Sequence, residues 1–263
     1  MIRRLIGLGL TGLLLACTTS PLGRNQLILV SDAELDQMSL TAFQQIKQET
    51  PVSSDRRVNT YVACVAFAVT SALAPNSADR WEVTVFHSDQ ANAFALPGGR
   101  IGVYDGLLKV AENQDQLATV IGHEVAHVLA RHTAERVSTS MVADTGMQLL
   151  QIAAGGSSPA RDELFSLLGL GAQVGILLPF SRAQESEADL VGLDLMAKAG
   201  FDPRQSVLLW NNMAKAGGAQ QPEFLSTHPS GTRRIQDLQG RMPLALGIAQ
   251  TAKSQGRHPQ CQR

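Results

Sequence analysis

The sequence predicts an α+β fold, mainly helical, with a small antiparallel sheet beside a buried helix. Three observations predict it. Apolar residues recur at helical spacing over three separate stretches, near 31–48, 55–73 and 115–137. Trp81-Glu82-Val83-Thr84-Val85-Phe86 alternates instead between bulky apolar and more polar residues, the period of a half-buried strand. Pro97-Gly98-Gly99 is a turn-forming group between two further extended pieces, Ala93–Leu96 and Arg100–Tyr104.

Along the chain, Met1-Ile2-Arg3-Arg4 is a short positive region, and Leu5 to Leu15 is an apolar stretch of the length of a secretion signal. Leu14-Leu15-Ala16-Cys17 resembles the lipobox of bacterial lipoproteins, which implies a signal peptide over 1–16 and lipid on Cys17. Thr18 stands where an Asp would favour the inner membrane, so an outer-membrane anchor facing the periplasm is expected. Residues 17–30 read as the lipidated cysteine and a polar tether, 31–240 as one globular domain, and 241–263 as a tail of weak pattern.

Ser31 followed by Glu34 is a capping-box pattern that opens the first helix, and Pro51 closes it. Val58, Tyr61, Val62, Val65 and Val69 mark the buried face of the second. Asp115 to about Val137 carries a broad apolar face, as a helix inside a core does. Gly155-Gly156-Ser157-Ser158-Pro159 reads as a surface loop. The apolar stretch 164–180 contains Gln173 and three glycines, and at about 17 residues it fits a core helix or hairpin better than a membrane span. Ser181 to Lys198 reads as another long helix.

With 22 basic against 23 acidic side chains, the chain shows no excess of cations of the kind that nucleic-acid binding requires. Cys64 and Cys261 remain if Cys17 is lipidated, and an oxidising compartment allows them a disulfide; the alternative is a buried Cys64 and a free tail thiol.

Chemistry concentrates in His123-Glu124-Val125-Ala126-His127, an HExxH pattern inside the predicted buried helix. At 100° per residue the two histidines lie about 40° apart and can reach one metal ion, while Glu124 lies about 60° from His127, placed to activate a water. A catalytic zinc usually takes a third protein ligand. Position 133 is Thr, which excludes the pattern with a third histidine six residues after the second, and on a continuous helix His132 projects about 140° from His127. His132 therefore reads as structural. Glu185 and Asp189, four apart on the later helix, offer a carboxylate ligand and a second carboxylate able to orient a ligating histidine. Glu187 reads as solvated.

Together with Phe180-Ser181-Arg182, the run from Asn92 to Gly99 and Thr227-His228-Pro229, these motifs resemble the HtpX-like and CAAX-prenyl-protease family of zinc metallopeptidases. The likeness is greatest to its periplasmic lipoprotein branch, including the catalytic domain of the beta-barrel assembly-enhancing protease. The resemblance implies a zincin-like (gluzincin) domain holding one Zn2+ through His123, His127 and Glu185, with Asp189 in support. It places His228 near the metal, as a cap at rest or a catalytic aid, and makes Asn92, Ala93 and Phe94 an edge strand for substrate. Arg182, Arg233 and Arg234 remain equal candidates for pairing with the acids. The expected function is a metalloendopeptidase acting on misfolded or unfolded envelope proteins, alongside outer-membrane assembly machinery or other envelope proteases. The alternative is a metal-binding, chaperone-like lipoprotein whose proteolysis is silent or secondary.

Overall fold

A computed structural model of the chain describes residues 17–73, 80–153, 179–216, 222–229 and 232–263. The expected signal segment, the Gly155–Pro159 loop and most of the 164–180 stretch lie outside them. Cys17–Thr19 (β1) and Asn25–Leu27 (β2) form an antiparallel hairpin. This corrects the expected tether. The side chain of Gln26 donates to the carbonyl of Ala130 at 2.7 Å, and Arg24 pairs with Glu135, so the hairpin is docked on the domain.

Two helices follow from local capping. Ser31 caps Asp32–Glu49 (α1) through the full capping box with Glu34, and Asp55 caps Arg56–Ser71 (α2) by accepting from the backbone N–H groups of Arg57 and Val58. Glu82–Phe86 (β3), Ala93–Leu96 (β4) and Arg100–Tyr104 (β5) then build a three-stranded sheet in the order β3-β5-β4. The sheet is mixed, not wholly antiparallel: β4 and β5 are antiparallel, but β3 and β5 are parallel. Residues 87–92 carry the chain to the far edge before the hairpin turns back, so the returning strand runs alongside β3 in the same direction. The turn depends on Gly98, whose φ of 83° favours glycine and whose missing Cβ would meet the Asp36 carboxylate.

A short 3-10 turn over Asp105–Lys109 leads to Gln114–Leu129 (α3), which Asn113 caps, and His132–Ala153 (α4) follows. The expected single helix to Val137 is in fact broken, because Arg131 takes the left-handed conformation at φ 53° and redirects the chain. Arg182–Lys198 (α5) starts at a second capping box, Ser181 with Gln184. Gln205–Ala216 (α6), Glu223–Thr227 (α7) and Thr232–Ser254 (α8) complete the described helices. Residues 241–263 are therefore not a tail. Ala245 and Ala249 on α8 are core residues, Cys261 is bonded to Cys64, and the backbone N–H of Cys261 donates to Gln114. No helix among the described residues is long and apolar enough to cross a membrane.

The core is organised around α3, which is buried on nearly every side. Its contact with α5 is antiparallel and can be followed rung by rung. Thr119 meets Met196, Gly122 meets Gly192, His123 meets Asp189, and His127 meets Glu185. At the glycine rung the two backbones touch: a Cβ on Gly192 would lie 2.8 Å from the backbone nitrogen of His123. Apolar packing on one side of that rung and polar side chains on the other follow from this approach. Gly192→Ala is expected to push the helices apart, costing about 1–3 kcal/mol as overpacking does and weakening metal binding. Urea unfolding and zinc titration of the variant check this; wild-type values in both would refute it.

Candidate active site

Beyond the glycine rung, α3 and α5 turn their polar residues toward each other inside the protein. Nε2 of His123 lies 3.0 Å from Nε2 of His127 and 3.2 Å from Nδ1 of His228. Oε1 of Glu185 lies 3.0 Å from that Nδ1 and 3.4 Å from Nε2 of His127. All four residues are buried, and their donor atoms lie within 4.8 Å of one another.

This donor set fits one metal ion. Nδ1 of His123 is 3.1 Å from the Asp189 carboxylate, which accepts the ring N–H and so fixes the tautomer with Nε2 bare. A bare nitrogen facing another ring nitrogen at 3.0 Å needs a proton or a metal ion between them. Zinc–nitrogen bonds of about 2.0–2.1 Å in tetrahedral geometry place ligand atoms about 3.3–3.4 Å apart. Neighbouring donors lie 3.0 to 3.4 Å apart, close to that value, and the whole set lies within 4.8 Å. Oε1 of Glu124 and Oε2 of Glu185 also lack a hydrogen-bond partner. Oε2 of Glu185 does sit 2.7 Å from Nη1 of Arg234, an ion pair without hydrogen-bond alignment.

Arg234 is the cation that sequence could not choose. It is 6% exposed and grips Asp189 with two nitrogens, at 2.6 and 2.8 Å, while its plane covers the Trp210 ring at 3.9 Å. Its Nη1 also approaches the carbonyls of His228 and Pro229. Arg182 and Arg233 are exposed. Burial would raise the Asp189 carboxyl, but Arg234 outweighs it and holds the acid below its usual range. Burial pushes the Glu124 carboxyl up, against the pull of His228 and His123, which makes it a stronger base. Burial also holds His127 well below the ordinary histidine range, in the neutral form that a metal requires.

Two expectations fail here. Glu187 is not solvated: it is 4% exposed and accepts from Arg24 and from the backbone of Leu22. His132 does not face away from His127. The turn at Arg131 brings its Nδ1 to 2.9 Å from Nδ1 of His127, and burial takes its pKa down to about 4.

Aromatic rings enclose His228. Phe224 stacks on it at 4.4 Å and Phe180 at 5.1 Å, and Phe180 also covers His127 at 3.7 Å. Phe180 was visible in sequence only as part of a motif, and Phe224 carried no signal. Beside this group lies a cleft of about 340 Å³, lined by Asn92, Ala93, Phe94, Ala95, Leu96, Glu124, Phe180 and His228 together with Ile46 and Tyr104. Strand β4 is an edge strand and runs along this cleft, and the backbone of Ala95 bonds the Glu124 carboxylate.

The model described as "Peptidase family M48" matches residues 53–242. The chain is 38% identical to Mitochondrial metalloendopeptidase OMA1 of Saccharomyces cerevisiae over 64% of its own length and 49% of the relative's. It is 37% identical to Metalloendopeptidase OMA1, mitochondrial, of Danio rerio, over 86% of this chain and 50% of that one. It is 27% identical to the Beta-barrel assembly-enhancing protease of Escherichia coli, over 78% of this chain and 43% of that one. The chain thus spans about half the length of the curated relatives it matches.

Asp189→Asn keeps the shape but leaves Arg234 and His123 facing a neutral amide. Zinc affinity is expected to fall by about 10- to 100-fold, the range for losing a group that orients a ligand. Competition with a chromogenic chelator measures this; unchanged affinity would remove Asp189 from the site.

Proposed function

The chain belongs to peptidase family M48; from that premise we propose that it is a zinc endopeptidase in which His123, His127 and Glu185 hold the ion and Glu124 is the general base. The observation that carries this reading is the convergence of those donors beside Glu124 and a cleft lined by the edge strand β4. A zinc ion in this site supplies the Lewis acidity that polarises the scissile carbonyl and lowers the pKa of the attacking water.

The protein's own groups do the rest. Glu124, buried and raised in pKa, takes a proton from the attacking water and returns it to the leaving amine as the C–N bond breaks. Asp189 and Arg234 keep His123 oriented with Nε2 bare. An extended substrate adds to the edge of β4 by backbone hydrogen bonds, with side chains received in the cleft. Recognition through the backbone gives loose sequence preference, which suits unfolded polypeptides.

His228 stands where it would be a fourth ligand to a bound metal, the position that a catalytic zinc site keeps open for water. We read this as a closed resting form, opened when substrate displaces His228. The same observation favours the second reading, a metal-binding chaperone-like lipoprotein with silent or secondary proteolysis. The envelope role belongs to this proposal as well. The leader pattern ending in Cys17 supports a lipid-anchored protein of the bacterial outer membrane, facing the periplasm. A relative named for β-barrel assembly supports misfolded envelope proteins as substrates, with assembly machinery or other envelope proteases as partners.

Cleavage of unfolded casein by the zinc-loaded chain tests the activity. Glu124→Gln should retain one equivalent of zinc and lose cleavage by at least about 100-fold, while His228→Ala should raise it. Zinc bound but no cleavage in wild type and in His228→Ala would favour the second reading. The anchor has its own test: cells grown with labelled fatty acid should mark the wild-type protein and not Cys17→Ser. Label retained in that variant would sink the lipoprotein assignment.

A further inference from the structure

From His127 a chain of hydrogen bonds, buried at His132 and partly buried at Glu187, runs to the N-terminal hairpin. Nδ1 of His127 is 2.9 Å from Nδ1 of His132, and Nε2 of His132 is 3.2 Å from Oε2 of Glu187. Glu187 is held in turn from the hairpin. Its Oε1 accepts from the backbone N–H of Leu22 at 3.0 Å, and its Oε2 accepts from Nε of Arg24 at 3.2 Å. Arg24 is fixed at its other end by Glu135, which also accepts from Gln26 and Gln184.

Donor and acceptor rules give this chain one direction. A Glu187 carboxylate paired with Arg24 only accepts, so Nε2 of His132 carries the proton and its Nδ1 is bare. A bare Nδ1 on His132 must receive the Nδ1 proton of His127. That leaves Nε2 of His127 as the lone-pair donor, the atom aimed at His123 and Glu185. His132 is 0% exposed, so its ring is held within the protein and not at the surface. It is not among the metal-holding donors. The left-handed turn at Arg131 is what folds its ring back over His127.

We propose that His132, Glu187 and the Leu22–Arg24 segment form a positioning relay that sets the tautomer and orientation of His127, making the N-terminal hairpin a working part of the metal centre. The relay parallels the Asp189–Arg234 support of His123 but reaches it from a segment outside the 53–242 family match. It rests on the reading of His127 as a zinc ligand.

The test uses the full mature chain and two readouts besides activity: zinc affinity by chelator competition, and the visible absorption bands of the cobalt-substituted protein. His132→Leu should weaken zinc binding by about 10- to 100-fold and shift the cobalt bands, because His127 is then free to rotate or change tautomer. His132→Asn offers an oxygen to His127 and an amide to Glu187, and should restore part of both. Arg24→Ala, on the half-buried hairpin, should weaken binding in the same direction by a smaller factor. Wild-type affinity and spectrum in His132→Leu would overturn the relay. If His132→Leu does not fold, Arg24→Ala decides, and wild-type values there overturn it equally. His127→Ala is the control that separates the two readings. Zinc lost there but unaffected in the relay variants refutes the relay alone, whereas zinc retained there refutes the ligand reading beneath it.

Discussion

The backbone contact between Gly122 and Gly192 is the constraint from which the rest of the site follows. Two helices carrying ordinary side chains pack with axes about 8–10 Å apart. Short carboxylates on one helix then meet histidines on the other only if the helices come closer. Glycine at both positions permits that approach, since a Cβ on either would strike the other's backbone at 2.8 Å. On one side of the contact, Thr119 and Met196 continue the core; on the other, His123 meets Asp189 and His127 meets Glu185. Antiparallel packing makes the spacing on the two helices match, so two residues four apart on α3 face two residues four apart on α5.

Such an approach buries charge, and the structure shows how that is tolerated. Glu124, Glu185 and Asp189 are all nearly inaccessible, and the guanidinium of Arg234 directly contacts two of them. Unpaired carboxylates in a low-dielectric interior are costly, so an acid without a partner there takes up a proton unless a cation is present. Asp189 is held ionised by Arg234 through paired hydrogen bonds. Glu185 gives Oε1 to the donor group and keeps Oε2 against Arg234. Glu124 is left with burial dominant, and that is why its carboxyl is the basic one of the three. One buried environment thus sets three chemically similar side chains apart, with Glu185 and Asp189 held ionised and Glu124 raised.

Local chemistry was legible in the sequence, and long-range geometry was not. The capping boxes at Ser31 and Ser181, the helical spacing of His123 and His127, and that of Glu185 and Asp189 depend on residues within one or two turns, so they are written in the chain. The disposition of His132 was misread because a helical wheel assumes a continuous helix, and a single left-handed residue at Arg131 cancels that assumption. Glu187 looked solvated because its partners, Leu22 and Arg24, lie more than 160 residues away. Residues 241–263 gave a weak pattern because Gly240, Pro243 and Gly247 interrupt the apolar periodicity, although small alanines there pack closely against the core. Arg234 could not be told from Arg233, since only burial against Asp189 distinguishes them.

The four donors differ in how firmly each is tied. His123 and His127 sit on a helix buried on nearly every side, and Glu185 lies on the helix locked to it at the glycine rung. Moving any of these three means breaking core packing and the hydrogen bonds of a long helix. His228 is the C-cap of a five-residue helix, held by stacking on Phe224 and Phe180 and by long contacts from Arg234 to its own carbonyl and that of Pro229. Releasing His228 breaks those stacks, each worth roughly 0.5–1.5 kcal/mol beyond its buried area, and its contacts with Glu185 and His123, but leaves the packing of α3 on α5 in place. If one donor is to yield its place to substrate, that difference in attachment selects His228. The helix that carries it is bonded to the backbone of Ala91, two residues before β4, so on the proposed route along β4 an extended chain reaches the least firmly tied donor first.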